Sequence, residues 1–149
     1  MALNAIDSDE PIKVIINSPG GIIKSGMLMY DVIQSSPAPI VLYCAGEAYS
    51  MAAILFACGK HGRYMLPNSK LMVHEPLVQE LHGNCSSIKS ASESLIKTKK
   101  ELVELLEKHT GKSAKFLKKL MENETFMNAE ESVTNGLCDS VVEFSELLK

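Results

Sequence analysis

A serine at the start of a predicted helix is the first residue of this sequence that could do chemistry. Ser50 follows a strand-like run and a turn, within the stretch from Cys44 to Ala53. A hydroxyl in this position is accessible, and the amide of Met51 would lack an acceptor in its own helix, so it could stabilise an oxyanion. The alternative is that Ser50 only caps the helix, as serines there often do. The stretch does not match the G-x-S-x-G nucleophile elbow.

A histidine at the end of a predicted strand is the second candidate. His74 follows the buried-strand pattern of Lys70 to Val73, and α/β folds place their sites at the carboxyl ends of strands. Imidazole is largely neutral near pH 7, as a general base must be. The alternative is a half-buried histidine bonded to the backbone. The remaining histidines are predicted to be surface or capping residues: His61, His82 and His109.

The tetrad Ser18-Pro19-Gly20-Gly21 predicts a turn after a buried strand. Pro-Gly turns are common without any function. Here, however, the Gly-Gly pair exposes backbone amides at a strand end, which would supply a second oxyanion donor if Ser50 lies close by. A serine, a histidine and free amides together favour acyl-transfer chemistry.

Alternating strand and helix patterns must position these residues. They predict an α/β fold with mainly parallel strands, in one domain that spans residues 1–149. The predicted strands are 12–17, 40–44, 63–66, 70–73 and 140–144, and the predicted helices are 22–34, 50–57, 85–109, 113–121 and 129–135.

Composition excludes several classes of function. The chain has 149 residues, of which 46% are hydrophobic and 22% charged, and a net charge of -3, so nothing favours a nucleic-acid partner. Its apolar runs are too short to cross a bilayer, and its start does not resemble a signal peptide, so we expect a soluble cytoplasmic protein. The four cysteines form no C-x-x-C pair, so neither a disulfide framework nor a metal site is expected.

Several longer segments resemble one family, the proteolytic subunit of the Clp protease. They occur in the same order over nearly the whole chain, and their spacing is kept from Gly20 through His74. The segments are Ile16 to Gly21 with Ser25-Gly26-Met27 and Tyr30-Asp31, Gly46 to Ala53, Leu66 to Leu77, His109-Thr110-Gly111, Phe126-Met127 and Ala129 to Gly136.

The resemblance implies a fold, an activity and an assembly. The fold would be a Clp/crotonase-like ββα spiral, a single domain from which a handle helix, Cys85 to His109, protrudes. The activity would be that of a serine endopeptidase, a hydrolase that acts on peptides and proteins inside a chamber of stacked heptameric rings. A separate AAA+ unfoldase would use ATP to feed that chamber, and the chain itself would need no cofactor.

The resemblance also implies a role for individual residues. Ser50 falls on the nucleophile, His74 on the base, and the amides of Gly21 and Met51 on the oxyanion hole. Glu124 falls on the position of the triad aspartate, where its extra methylene shifts the carboxylate.

The sequence departs from the family pattern at four other places. Asn123 replaces an arginine that usually contacts the opposite ring, and Val78-Gln79 replaces a Gly-Gly pair, with one residue inserted before His109. The chain also begins late, without the axial loop and first strand of the family, so docking of an unfoldase is in doubt.

Three functions therefore remain open. An active serine peptidase is favoured by the retained serine, histidine and amides. A non-catalytic or partner-activated ring subunit is suggested by Glu124 and Asn123, and a crotonase-like acyl-CoA enzyme would share the fold. For both the active peptidase and the non-catalytic ring subunit, the apolar stripe of the handle helix predicts self-association.

Overall fold

Strands and helices alternate along residues 10–148, the part of the chain that the computed structural model describes. The predicted α/β class is therefore confirmed. The strands are β1 (Ile12–Ser18), β2 (Ile40–Tyr49), β3 (Arg63–Met65), β4 (Lys70–Val73), β5 (Thr125–Asn128) and β6 (Ser140–Val141), and the helices are α1 (Ile23–Ser35), α2 (Met51–Ala57), α3 (Cys85–Thr110), α4 (Ala114–Met121), α5 (Ala129–Thr134) and α6 (Phe144–Leu147).

The sheet is organised around β2, whose two halves have different neighbours. β1 pairs with β2 in parallel along one edge. On the other edge β3 pairs with residues 42–44, whereas β4 pairs with residues 47–49. β6 extends the sheet beyond β3, and β5 extends it beyond β4 as its antiparallel strand. One long strand thereby holds two small blocks of strands that separate near Gly46.

Side chains from two neighbouring segments hold the irregular part of β2. The Ser69 hydroxyl accepts a hydrogen bond from the Gly46 amide at 3.0 Å and donates one to the Cys44 carbonyl at 2.9 Å. The Asn17 side-chain oxygen accepts a bond from the Glu47 amide at 3.2 Å. Gly46 has a φ of +104° and lies against Asn17, so a side chain there would clash. The strand therefore continues through the segment that the sequence predicts to be a turn.

Helix α2 forms the centre of the core. All of its residues are buried, and Phe56 is fully inaccessible. A helix that is apolar on every side is stable only inside the protein. Because α2 begins directly after Ser50, this burial fixes the position of the candidate serine.

Helix α3 extends well beyond the core. Its buried residues, Leu102, Val103 and Leu106, all lie in its C-terminal part, whereas Ile88 and Ile96 are exposed. Lysine–glutamate pairs four residues apart, with N···O distances between 3.7 and 3.9 Å, support the solvated surface of the helix. No helix within residues 10–148 is long and apolar enough to cross a membrane.

The C-terminal third of the chain differs most from the sequence-based expectation. β5 is absent from the predicted elements, because its four residues show no clear alternation of apolar and polar side chains. In the structure its Phe126 is exposed. The final strand is only two residues long, and residues predicted to continue it turn instead into α6. The predicted predominance of parallel pairing is confirmed, with the β4–β5 pair as the antiparallel exception among the described strands.

A tyrosine–histidine contact joins α1 to the end of α3. The Tyr30 hydroxyl and His109 Nε2 are 2.9 Å apart, and the two rings meet edge to face. His109 lies in the last turn of α3, at the helix end where the sequence places it, and this contact leaves it half-buried. Burial lowers the pKa of His109 below its ordinary value of 6.5, and the charges of Lys108 and Arg63 lower it further.

This lowered pKa predicts a pH-dependent loss of stability. The unfolded chain takes up a proton on His109 more readily than the folded protein, so the free energy of unfolding should fall as the pH drops through about 6.5. Urea denaturation of wild type and His109→Gln, over a pH series from about 7.5 to about 5.5, measures this slope. The matched control is Ser145→Ala, at an exposed residue that carries no titratable group, which should keep the wild-type slope. Equal slopes in wild type and His109→Gln would contradict the expectation.

Candidate active site

Ser50 and His74 lie within hydrogen-bond distance of each other. Ser50 Oγ is 2.8 Å from His74 Nε2. The parallel register of β2 and β4 produces this distance, because Tyr49 lies opposite Met72 and each candidate follows its strand closely. The Ser50 amide also donates to the Met72 carbonyl at 2.8 Å, which ties the two strand ends together.

The backbone of Ser50 has an uncommon conformation. Its φ of 55° and ψ of −124° make it the one non-glycine residue with a positive φ within residues 10–148. Such a conformation costs about 1–3 kcal/mol and persists only where the surroundings impose it. Ser50 precedes α2 as its N-cap residue, but its side chain makes no capping hydrogen bond. The capping alternative therefore does not account for the hydroxyl, which is directed to His74 instead.

The Ser18–Gly21 turn packs against Ser50 from β1. Gly20 has a φ of +98°, and a Cβ atom there would lie 2.5 Å from the Tyr49 carbonyl oxygen and 2.8 Å from the Ser50 Cβ. Real Cβ atoms do not approach so closely, so only glycine fits. This contact brings the predicted turn to the predicted serine, as the acyl-transfer interpretation requires.

The two candidate oxyanion donors, Gly21 and Met51, directly follow in sequence the two residues of this contact. Met51 is the first residue of α2, where a helical amide has no acceptor within its own helix. Gly21 lies in the cleft that also contains Ser50 and His74, and a Cβ atom at this position would meet nothing within 4 Å. The placement of both backbones is compatible with a shared oxyanion site, and their role stays a prediction.

A cleft of about 890 Å³ lies over the Ser50–His74 pair. One side is formed by residues from Pro19 to Lys24, and another by the loop from Pro76 to Glu80. A second cavity, of about 360 Å³, lies between β1, α1 and α2. No ionisable side chain lines this second cavity, so the chemistry belongs to the cleft.

Glu124 lies beside this cleft but does not contact the histidine. The antiparallel pairing of β4 and β5 ends at Val73 opposite Thr125, so one further step places His74 opposite Glu124. Glu124 lines the same cleft as His74 and is exposed. Within residues 10–148, however, no hydrogen bond or ion pair joins the two side chains.

Glu122, the other acidic residue of this turn, is engaged elsewhere. Its carboxylate accepts a hydrogen bond from Lys119 Nζ at 2.7 Å. This bond and the positive charge of Lys119 lower the pKa of Glu122. Glu122 therefore belongs to an exposed pair with α4, which leaves Glu124 as the acid beside His74.

The segment after His74 is fixed by an ion pair that the sequence does not reveal. Lys99 Nζ, on α3, donates a hydrogen bond to Glu75 Oε1, and both side chains are about one-third exposed. The partners are far apart in sequence, so only the fold brings them together. This pair anchors the start of the loop wall of the cleft to α3.

The cysteines offer no competing nucleophile in the core. Cys44, Cys58 and Cys138 are buried and free, as their apolar surroundings predict, and Cys85 is exposed. Burial raises the pKa of Cys44 and Cys58 to about 12 and that of Cys138 to about 11, so these thiols stay protonated near neutral pH. No group of three or more histidine, cysteine or acidic side chains within residues 10–148 is arranged to hold a metal ion.

Known proteins are similar in sequence to this chain over most of its length. A family described as Clp protease matches residues 1–145. The ATP-dependent Clp protease proteolytic subunit of Bdellovibrio bacteriovorus is 38% identical over 144 residues, which cover 95% of this chain and 68% of that relative. The chain therefore belongs to the Clp protease family, a family of peptidases, as its motifs predict.

Proposed function

We propose that this chain is a serine-type endopeptidase subunit of a Clp-like, ATP-dependent protease. The observation that carries this proposal is the 2.8 Å distance between Ser50 Oγ and His74 Nε2 in an open cleft. A serine held in a strained conformation beside a histidine is the arrangement that activates a hydroxyl for attack on an acyl carbon.

The geometry supports a two-stage acyl transfer. His74 Nε2 takes the proton from Ser50 Oγ as the oxygen attacks the carbonyl carbon of the scissile peptide bond. The amides of Gly21 and Met51 hold the oxyanion of the tetrahedral intermediate. When the C–N bond breaks, His74 gives the proton to the leaving amine, and an acyl group remains on Ser50. A water molecule, deprotonated by His74, then attacks the acyl carbon; the bond to Ser50 Oγ breaks, Oγ receives the proton from His74, and the carboxylic acid is released.

We assign to Glu124 the role of orienting His74. Its place opposite His74 in the extended β4–β5 ladder, and its position in the same cleft, support this role. A carboxylate in reach of the second ring nitrogen of a histidine holds the correct tautomer and stabilises the imidazolium that forms. The exposed Glu124 side chain must reorient to make this bond.

The proposed assembly is the stacked, heptameric ring form in which the chain, as a ββα spiral, uses α3 as the handle between rings. The exposed Ile88 and Ile96 on the free part of α3 support burial against another subunit. The relative is named as a subunit of an ATP-dependent protease. By this likeness we propose protein substrates delivered by an AAA+ unfoldase, ATP used only by that partner, no cofactor for the chain itself, and a place in the cytoplasm.

One observation favours a second candidate, a non-catalytic or partner-activated ring subunit. Glu124 and His74 are not hydrogen-bonded within the described residues, although they lie beside one cleft. In this second form the triad would be completed only when another subunit moves the turn that carries Glu124.

The serine assignment predicts the first result. Ser50→Ala should lower kcat for short fluorogenic peptides by at least about a thousandfold, because it removes the nucleophile. Short peptides need no unfoldase, and sedimentation in the same buffer records the oligomeric state. Ser145→Ala, at an exposed serine on α6, is the matched control and should retain activity. Hydrolysis that persists in purified Ser50→Ala would contradict the nucleophile.

The Gly20–Ser50 contact predicts a second result. Gly20→Ala should slow the reaction of Ser50 with a fluorophosphonate by about a hundredfold, because the added methyl group displaces the serine. Gly111→Ala also places alanine at positive φ, at 68°, but with no atom within 4 Å of its Cβ. It should lose about 1 kcal/mol of stability and label at the wild-type rate. Equal labelling of both variants would show that Gly20 does not position Ser50.

The acid assignment predicts a third result. Glu124→Gln should lower kcat by about a hundredfold or more, because a neutral amide no longer stabilises the imidazolium. Glu124→Asp should retain more activity than Glu124→Gln, and Glu122→Gln serves as the control at the neighbouring surface pair. The measurement is the steady-state kcat of each variant on one peptide substrate. A wild-type kcat in Glu124→Gln would exclude Glu124 as the working acid.

A further inference from the structure

One lysine shares the cleft with the serine and the histidine. Lys24 is the second residue of α1 and lines the same cleft as Ser50 and His74. It is exposed. Within residues 10–148, no carboxylate forms an ion pair with it, although the other cleft residues include two glutamates. The cleft therefore contains a positive charge that no described carboxylate neutralises by an ion pair.

The local structure increases this positive charge instead of balancing it. The first turn of α1 contains no acidic residue. Helix N-termini carry partial positive charge, so acidic side chains stabilise this position and a lysine does not. Lys24 thus adds a full charge to a helix end of the same sign. Its placement costs the fold a little stability, and no ion pair with a described carboxylate offsets that cost.

The two glutamates of the cleft lie on other segments. Glu80, on the loop wall, is 3.1 Å from His82 Nε2. Glu124 follows α4 and precedes β5, beside His74. Lys24 is therefore the charged residue of the 19–24 segment of the cleft, and the two glutamates belong to separate chain segments.

We infer that Lys24 is a specificity-determining residue that binds an acidic side chain of the peptide substrate. This inference rests on the proposed peptidase function and adds a substrate class to it. Lys24 lies three residues after Gly21, the proposed oxyanion donor. The acidic side chain would therefore belong to a residue near the scissile bond. The rest of this wall, Pro19, Ile22 and Ile23, is apolar and offers no competing charge.

The expected preference is modest and sensitive to salt. Exposed lysine–carboxylate pairs contribute little free energy, which corresponds to about a two- to fivefold preference in kcat/KM. Screening by salt should reduce this preference at high ionic strength. An uncharged glutamine has nearly the same shape as glutamate. The ratio of kcat/KM for the glutamate and glutamine peptides therefore measures the effect of the charge alone.

The experiment compares terminally blocked fluorogenic peptides that differ only by glutamate or glutamine at one position flanking the scissile bond. At one such position, the kcat/KM of wild type for the glutamate peptide should exceed that for the glutamine peptide by about two- to fivefold. The ratio should fall to one in Lys24→Met and invert in Lys24→Glu. Lys115→Met is the matched control, since Lys115 is an exposed second residue of α4 and lies outside the cleft residues.

A binding measurement separates this inference from the peptidase assignment. Fluorescence anisotropy reports binding of the same labelled peptide pair to Ser50→Ala and to Ser50→Ala/Lys24→Met. Tighter binding of the glutamate peptide that disappears with Lys24→Met supports the inference even if wild type hydrolyses no peptide. The inference is overturned if the ratio equals one at every position, or if it is the same in Lys24→Met and in wild type.

Discussion

The left-handed backbone of Ser50 is the constraint on which the rest of the site depends. A conformation that costs about 1–3 kcal/mol must be imposed by neighbouring groups. Its amide is held by the Met72 carbonyl, and its carbonyl accepts bonds from the amides of Ala53 and Ile54 at 3.0 and 3.2 Å. Gly20 closes on it from β1. Relaxation of this residue to an ordinary conformation would turn the hydroxyl away from His74.

That constraint is transmitted through the divided central strand. β2 pairs with β3 before Gly46 and with β4 after it. The strand can therefore place Ser50 beside His74 only if the irregular segment around Gly46 keeps its conformation. The side chains of Asn17 and Ser69 hold this conformation by accepting hydrogen bonds from backbone amides of the segment. The buried hydroxyl of Ser69 suits this position, because it satisfies one backbone donor and one backbone acceptor of the irregular strand at once.

The local sequence predicts the elements of this site better than their contacts. Apolar runs, turn residues and the start of α2 place Ser50 and His74 near the ends of two predicted strands, and the family motifs predict their roles. The sequence does not predict β5, because four residues without alternation carry no pattern, nor the continuation of β2 past Gly46, where glycine indicates a turn. The Glu75–Lys99 pair and the Tyr30–His109 contact join distant segments, so no local pattern could reveal them.

The cleft wall after His74 has no regular structure of its own. Residues 74–84 lie between β4 and α3 and belong to neither a strand nor a helix. The Glu75–Lys99 pair fixes one end of this loop, and the Asn84 cap, which accepts a bond from the Ser87 amide at 3.0 Å, fixes the other. Both anchors belong to α3, whose N-terminal part lies outside the core. The shape of the cleft therefore depends on the placement of this helix as well as on the sheet that carries the reacting groups.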